Sequence, residues 1–171
     1  MTPLVWQRLD AIARSATPSL AVLMLVLVSV TPLPIRSYGA VAPLLPMIGI
    51  YYWAIYRPDL LPFVVVFLAG LLLDLLTGAP LGVHSFAFLL CHGLVFTQRH
   101  LMVGRSFVAL WCGFVVVQLL ASLLEWVVFS LYSGAALRLS PALFSGLITI
   151  ALFPLFAWLL MQVQRGFLRP A

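Results

Sequence analysis

The chain has 171 residues, of which 64% are hydrophobic and only 8% charged, and its mean hydropathy is +1.19. Soluble domains carry about 25% charged residues. This composition therefore excludes a soluble globule, a disordered segment, a nucleic-acid-binding module and a disulfide-stapled secreted domain. The formal charge of +5 comes from nine arginines, no lysine, three aspartates and one glutamate. In so apolar a chain that excess reads as membrane topology rather than as a polyanion site.

In chain order, residues 4–16 come first. Val5, Leu9, Ile12 and Ala16 repeat at helical spacing, with Gln7, Asp10 and Arg14 on another face. They predict a short amphipathic helix on the cytoplasmic membrane surface. A hydrocarbon core of about 30 Å needs about 20 apolar residues per helix, with a range of about 17–25. Six runs are read as spans. The first covers about 18–33 and is closed by Pro32-Leu33-Pro34. The second covers 40–56, with Pro43 and Pro46 in its first turns, and is closed by Arg57-Pro58-Asp59. The third covers 60–77 and ends at Gly78-Ala79-Pro80; the fourth covers 82–97. The fifth runs over about 107–132 to Ser133-Gly134. The sixth, 141–161, is opened by Ser140 as N-cap with Pro141 at the first helical position. The expected fold is all-α: one polytopic membrane domain over 1–171.

The arginines orient it. With the N-terminus inside, Arg8, Arg14, Arg57, Arg99, Arg105, Arg165 and Arg169 are cytoplasmic, and Arg36 and Arg138 are outside. All loops are short enough for the positive-inside rule, which gives N-in and C-in. Tyr51, Tyr52, Trp53 and Tyr56 beside Arg57 read as a headgroup-level aromatic belt. Cys91 and Cys112 lie in apolar runs and read as free core thiols.

Two carboxyls fall inside spans, Asp74 and Glu125, where each costs several kcal/mol (about 2.5 and upward) unless it is partnered inside the bundle. Both lie in the outer half by this topology. Gly70, Asp74, Thr77 and Gly78 share one helix face; Gln118, Ser122 and Glu125 share another. Both faces are expected to point inward, toward each other or a common cavity, with Arg36, Arg138 and His84 as candidate partners. The reading is either a pocket or partner-reporting contact, or a satisfied polar network that fixes helix packing. His84 and His92 are two turns apart on the fourth span, too far to share one metal without other ligands. His100 with Arg99 and Arg105 is simplest as a headgroup-facing loop. Ser145 and Thr149 are placed to back-bond along the sixth span, and Pro154 to kink it. No phosphate loop, Ser/His/Asp set or zinc motif is present, so neither cofactor nor metal is expected.

Residues 57–82 carry the most specific pattern: Arg57-Pro58, an apolar run, then Gly70-Leu71-Leu72-Leu73-Asp74-Leu75-Leu76-Thr77-Gly78 and Pro80-Leu81-Gly82. This resembles the MreD family, small membrane subunits of the bacterial rod-shape machinery, as do the length, short loops and span layout. The resemblance implies a non-enzymatic membrane scaffold in the cytoplasmic (inner) membrane. It would work with a bitopic MreC-like protein, the MreB cytoskeleton, a SEDS-family glycan polymerase and a class B penicillin-binding transpeptidase in lateral peptidoglycan synthesis. It also implies a layout similar to the substrate-binding S-component-like subunits of energy-coupling-factor transporters. Gly70, Asp74, Gly78, Pro80 and Gly82 are the motif residues it carries over; Glu125, with Gln118 and Ser122 on its helix face, is inferred from the residues themselves and is not part of the motif. A substrate-binding membrane subunit of a small-molecule transporter is the alternative, and an intramembrane enzyme the weakest reading.

Overall fold

The computed structural model describes residues 3–31, 42–135 and 138–167, the side chains of 3–15 and 167 excepted. Arg36, the turn at 32–34 and Arg169 lie outside the described residues. Six α-helices and one short 3-10 turn make up the described residues, without a strand: α1 Pro3–Val30, α2 Leu45–Tyr56, the turn Pro58–Leu60, α3 Phe63–Thr77, α4 Val83–Met102, α5 Phe107–Ser133 and α6 Ser140–Phe167. Two of them, α5 and α6, contain segments long and apolar enough to cross a membrane; the apolar parts of α1 (Ala16–Val30) and α3 are shorter.

The predicted surface helix and first span are one unbroken helix, with Pro18 inside it. Helix α2 differs most from expectation. The second span is predicted from residue 40, but the helix starts at Leu45 and has 12 residues, about 18 Å at 1.5 Å per residue. Pro43 and Pro46 withhold the amides that would extend it. Neighbouring hydroxyls replace the missing helix bonds. Ser29 Oγ donates to Pro43 O (3.2 Å) and accepts from Leu45 N (3.2 Å). Thr149 Oγ1 accepts from Leu44 N (3.0 Å), and Ser145 Oγ donates to Ala42 O (2.6 Å). Irregular backbone inside a bundle is tolerated when buried protein groups re-satisfy it.

The shortest of the six helices is also the central one. Helix α2 packs against α1, α4 and α6 and touches α5; α3 pairs with α4 and α1, and α5 with α4 and α6. Every residue from Leu45 to Ile55 is buried. The aromatic cluster is therefore core rather than an interfacial belt. Tyr51, Tyr52 and Trp53 are buried, and of the four only Tyr56 reaches the surface. The rings find polar partners inside, as buried tyrosines must: Tyr51 donates to Leu110 O (2.9 Å) and Tyr52 to Gln164 Oε1 (2.7 Å). Tyr51 also meets Phe114 and Phe153 edge-on. Cys91 is a buried free thiol, but Cys112 is exposed on the outer face of α5 and is not a core thiol.

On α6, Thr149 back-bonds to Ser145 O (2.8 Å), whereas Ser145 bonds across to α2's entry segment instead. Pro154 removes the amide that would bond to Ile150 O. Trp111 Nε1 of α5 donates to that carbonyl at 3.1 Å.

Candidate functional site

The motif residues converge on the turn between α3 and α4. Gly78 ends α3 in the left-handed region (φ 69°), and Ala79 N–H reaches back to Asp74 O at 3.1 Å, a Schellman-type closure. Gly82 opens α4 with φ 99° and no side chain to cap it. Asp74 supplies the cap from the preceding helix. Its Oδ2 accepts from Gly82 N–H at 2.8 Å, and its Oδ1 accepts from His84 N–H at 3.2 Å. The His84 N–H is a donor that an N-cap side chain would satisfy and the Gly82 N–H one that a capping-box acid would, and an anion there also suits the helix dipole. His84 Nδ1 lies 2.7 Å from Oδ1; a carboxylate only accepts, so Nδ1 donates. One fully buried residue thus ends α3 with its carbonyl and starts α4 with its side chain.

Gly70 permits the crossing that makes this possible. A Cβ there would lie 2.5 Å from Ser85 N and 2.9 Å from the His84 carbonyl carbon, both backbone atoms. Ser85 Oγ donates to Phe67 O at 3.1 Å across the same contact. Pro80 sits at the tip of the turn. It lines an external groove of about 610 Å³ with Leu81, Phe86, Val128 and Tyr132, and on its other side a cavity of about 700 Å³. Leu81 is 68% exposed and Tyr132 75% exposed.

The second polar face divides. Gln118 Nε2 donates to Ser122 Oγ at 3.3 Å, and both are buried toward α6, where a Cβ on Gly146 would meet Ser122 Oγ at 2.8 Å. Glu125, one turn further, lines the cavity together with His84, Trp126, Phe129, Arg138 and Ser145. Its Oε1 has no hydrogen-bond partner among the described residues. So Asp74 serves packing, Gln118 reaches Ser122 while its Oε1 is also unpartnered among the described residues, and Glu125 alone of these faces the cavity. His92 diverges from His84: it is buried at 4.7 Å edge-on to Phe63 and stacked on Phe96. Among the described residues no cluster of three or more His, Cys, Asp or Glu could hold a metal.

Several contributors carry no sequence signal of their own. Ser29 and Gly146 act only across helix interfaces, Thr149 adds a bond across one to its expected bond along α6, and Trp111 matters only because Pro154 comes to lie beside it. The Pro43–Pro46 pair was the one hint that backbone groups there needed outside donors and acceptors.

No curated protein and no solved structure matches the chain. A family model described as rod shape-determining protein MreD matches residues 12–163, which include Gly70, Asp74, Gly78, Pro80, Gly82, Gln118, Ser122 and Glu125. With that match over most of its length, and with apolar helices of the kind a membrane protein needs, the chain belongs to the MreD family of membrane proteins, which serves rod-shape determination in association with the MreB and MreC system.

Proposed function

We propose that this protein is a non-enzymatic, six-span scaffold of the bacterial elongation complex in the inner membrane, a single membrane domain with both ends of the spanned region inside. The arginine distribution supports the orientation. In α5 and α6 only 33% of the most apolar window is buried, which leaves apolar faces that lipid covers. The short α2 is sheathed by its neighbours and needs little lipid contact of its own.

The observation that carries the scaffold reading is the apolar groove beside the braced turn. Asp74, Gly70 and Gly78 hold the α3–α4 hairpin in one shape, and Leu81, Phe86 and Tyr132 stand exposed along its outer side. A single apolar helix of an MreC-like bitopic protein fits such a groove as i, i+3, i+4 side chains against fixed walls. Through that protein the scaffold would connect the MreB filament inside with the SEDS polymerase and the class B transpeptidase. The overall layout proposed is that of an S-component-like helical bundle.

Co-purification with a co-expressed MreC-like protein tests this. Leu81→Arg and Phe86→Ala alter exposed side chains, so the fold persists while recovery of the partner falls and cells lose rod shape. Full partner recovery and normal rods in both variants would sink the scaffold reading. The cavity favours a second reading, a substrate-binding subunit of a small-molecule transporter. A depletion strain that keeps its rod shape but loses uptake of a solute would select it.

A further inference from the structure

The lining of the 700 Å³ cavity is unusual in which half of each hydrogen bond it has left to give. Ser29, Thr77 and Ser145 each spend their only hydroxyl proton on a backbone carbonyl: Pro43 O at 3.2 Å, Leu73 O at 2.7 Å and Ala42 O at 2.6 Å. Each can then only accept, and Ser29 Oγ already takes Leu45 N–H on one lone pair. His84 spends Nδ1–H on Asp74, and its ring lines the same cavity. Glu125 is 7% exposed, and its Oε1 lacks a partner among the described residues. Buried polar atoms of that kind are rare in native proteins and need a reason. Trp126 and Phe129 of the same helix line the cavity with Glu125, and so does Arg138, an exposed residue.

We propose that this cavity binds a zwitterion of the phosphoethanolamine type, its primary ammonium against Glu125 and its anionic group against Arg138. The ammonium brings three donors and no acceptor, the complement of an acceptor-rich wall. Aromatic faces attract a cation as well. A phosphate is the natural partner of a guanidinium fork. A quaternary amine offers no N–H, and a sugar brings as many acceptors as donors to a wall that has few donors. The volume lies within the range of about 300–1,000 Å³ typical of small-ligand sites. The same chemistry has two sources: the headgroup of a phosphatidylethanolamine from the bilayer, or a free water-soluble zwitterion. The inference rests on the cavity lining and stands or falls separately from the groove's role in partner binding.

The test uses the full chain in phosphatidylcholine nanodiscs, read by thermal unfolding and native mass spectrometry. A saturable rise in melting temperature with free phosphoethanolamine, absent with phosphocholine, supports the site and identifies a soluble source. One phosphatidylethanolamine retained per protein from mixed-lipid nanodiscs, with no response to the free molecule, supports the site and identifies the headgroup. Glu125→Gln keeps shape but loses the charge, and binding weakens about tenfold or more; Arg138→Ala weakens it as well. Ala142→Trp fills the cavity without touching either charge and abolishes binding, so the test survives a folding defect in Glu125→Gln. No response to either probe, an equal response to phosphocholine, or wild-type binding by both Glu125→Gln and Ala142→Trp overturns the proposal.

Discussion

Asp74 is a buried carboxylate whose role is local and structural in the first instance. It accepts from Gly82 N–H, His84 N–H and the His84 ring. Asp74→Ala strands two backbone donors and the ring at a part-buried site, and we expect a loss of about 1–3 kcal/mol. Asp74→Asn keeps one amide oxygen as acceptor and loses less; equilibrium unfolding in mild detergent ranks the two. Gly70→Ala should cost about 1–3 kcal/mol or more, because the clash is with backbone that cannot swing aside. Gly93 is the control. A Cβ there meets nothing within 4 Å, so Gly93→Ala stabilises by about 0.5–1 kcal/mol. If the two alanine variants melt alike, close approach is not what Gly70 provides.

At the scale of elements, helix ends and breaks are completed by neighbours rather than by their own sequence. The Ile150 carbonyl, freed by Pro154, is met by Trp111. A double-mutant cycle measures this directly. Trp111→Phe should cost about 1 kcal/mol in the native background, and clearly less once Pro154→Ala restores an amide four residues on. Equal costs in both backgrounds would show that the indole does not serve that carbonyl. Thr149→Val similarly leaves Leu44 N–H without its acceptor and is expected to lower stability by about 1–3 kcal/mol. Element lengths were largely legible in the sequence because apolar runs end at Gly, Pro and Arg. Helix α4 continues to Met102, past the predicted end at 97, because Gln98 and His100 are exposed and Arg99 half-buried, so polar side chains there cost the helix little. Its last turn also gains from Arg99 and His100 near the C-terminal carbonyls.

For the whole molecule, the proposed topology makes a simple prediction. In a background with Cys91 and Cys112 replaced, a single cysteine at position 138 or 81 is labelled by an impermeant maleimide from outside, and one at 57 or 105 only after the membrane is opened. Reversed labelling would invert the assignment from the arginines. The bundle places its shortest helix at the centre, with longer ones around it. The aromatic cluster at the end of α2 is consequently buried against α5 and α6. From sequence alone those rings suit an interface equally well, since a tyrosine beside an arginine has the same local composition in a belt as in a core. Cys91 and Cys112 likewise differ only in which side of their helix faces a neighbour.

The amino-acid sequence by itself determined the class of the molecule and the identity of its critical turn. Thirteen charges in 171 residues leave no alternative to a nonpolar surround, and the glycines and proline around Asp74 specify a hairpin through their own φ preferences. Those properties are local, so they are readable without neighbours. Only the tertiary structure decided what each buried polar group does. Asp74 and Glu125 looked alike as costly intramembrane acids. Packing brings the donors of the next helix to Asp74 and an acceptor-lined cavity to Glu125, because hydrogen-bond partners from other helices depend on crossing geometry and not on spacing along the chain.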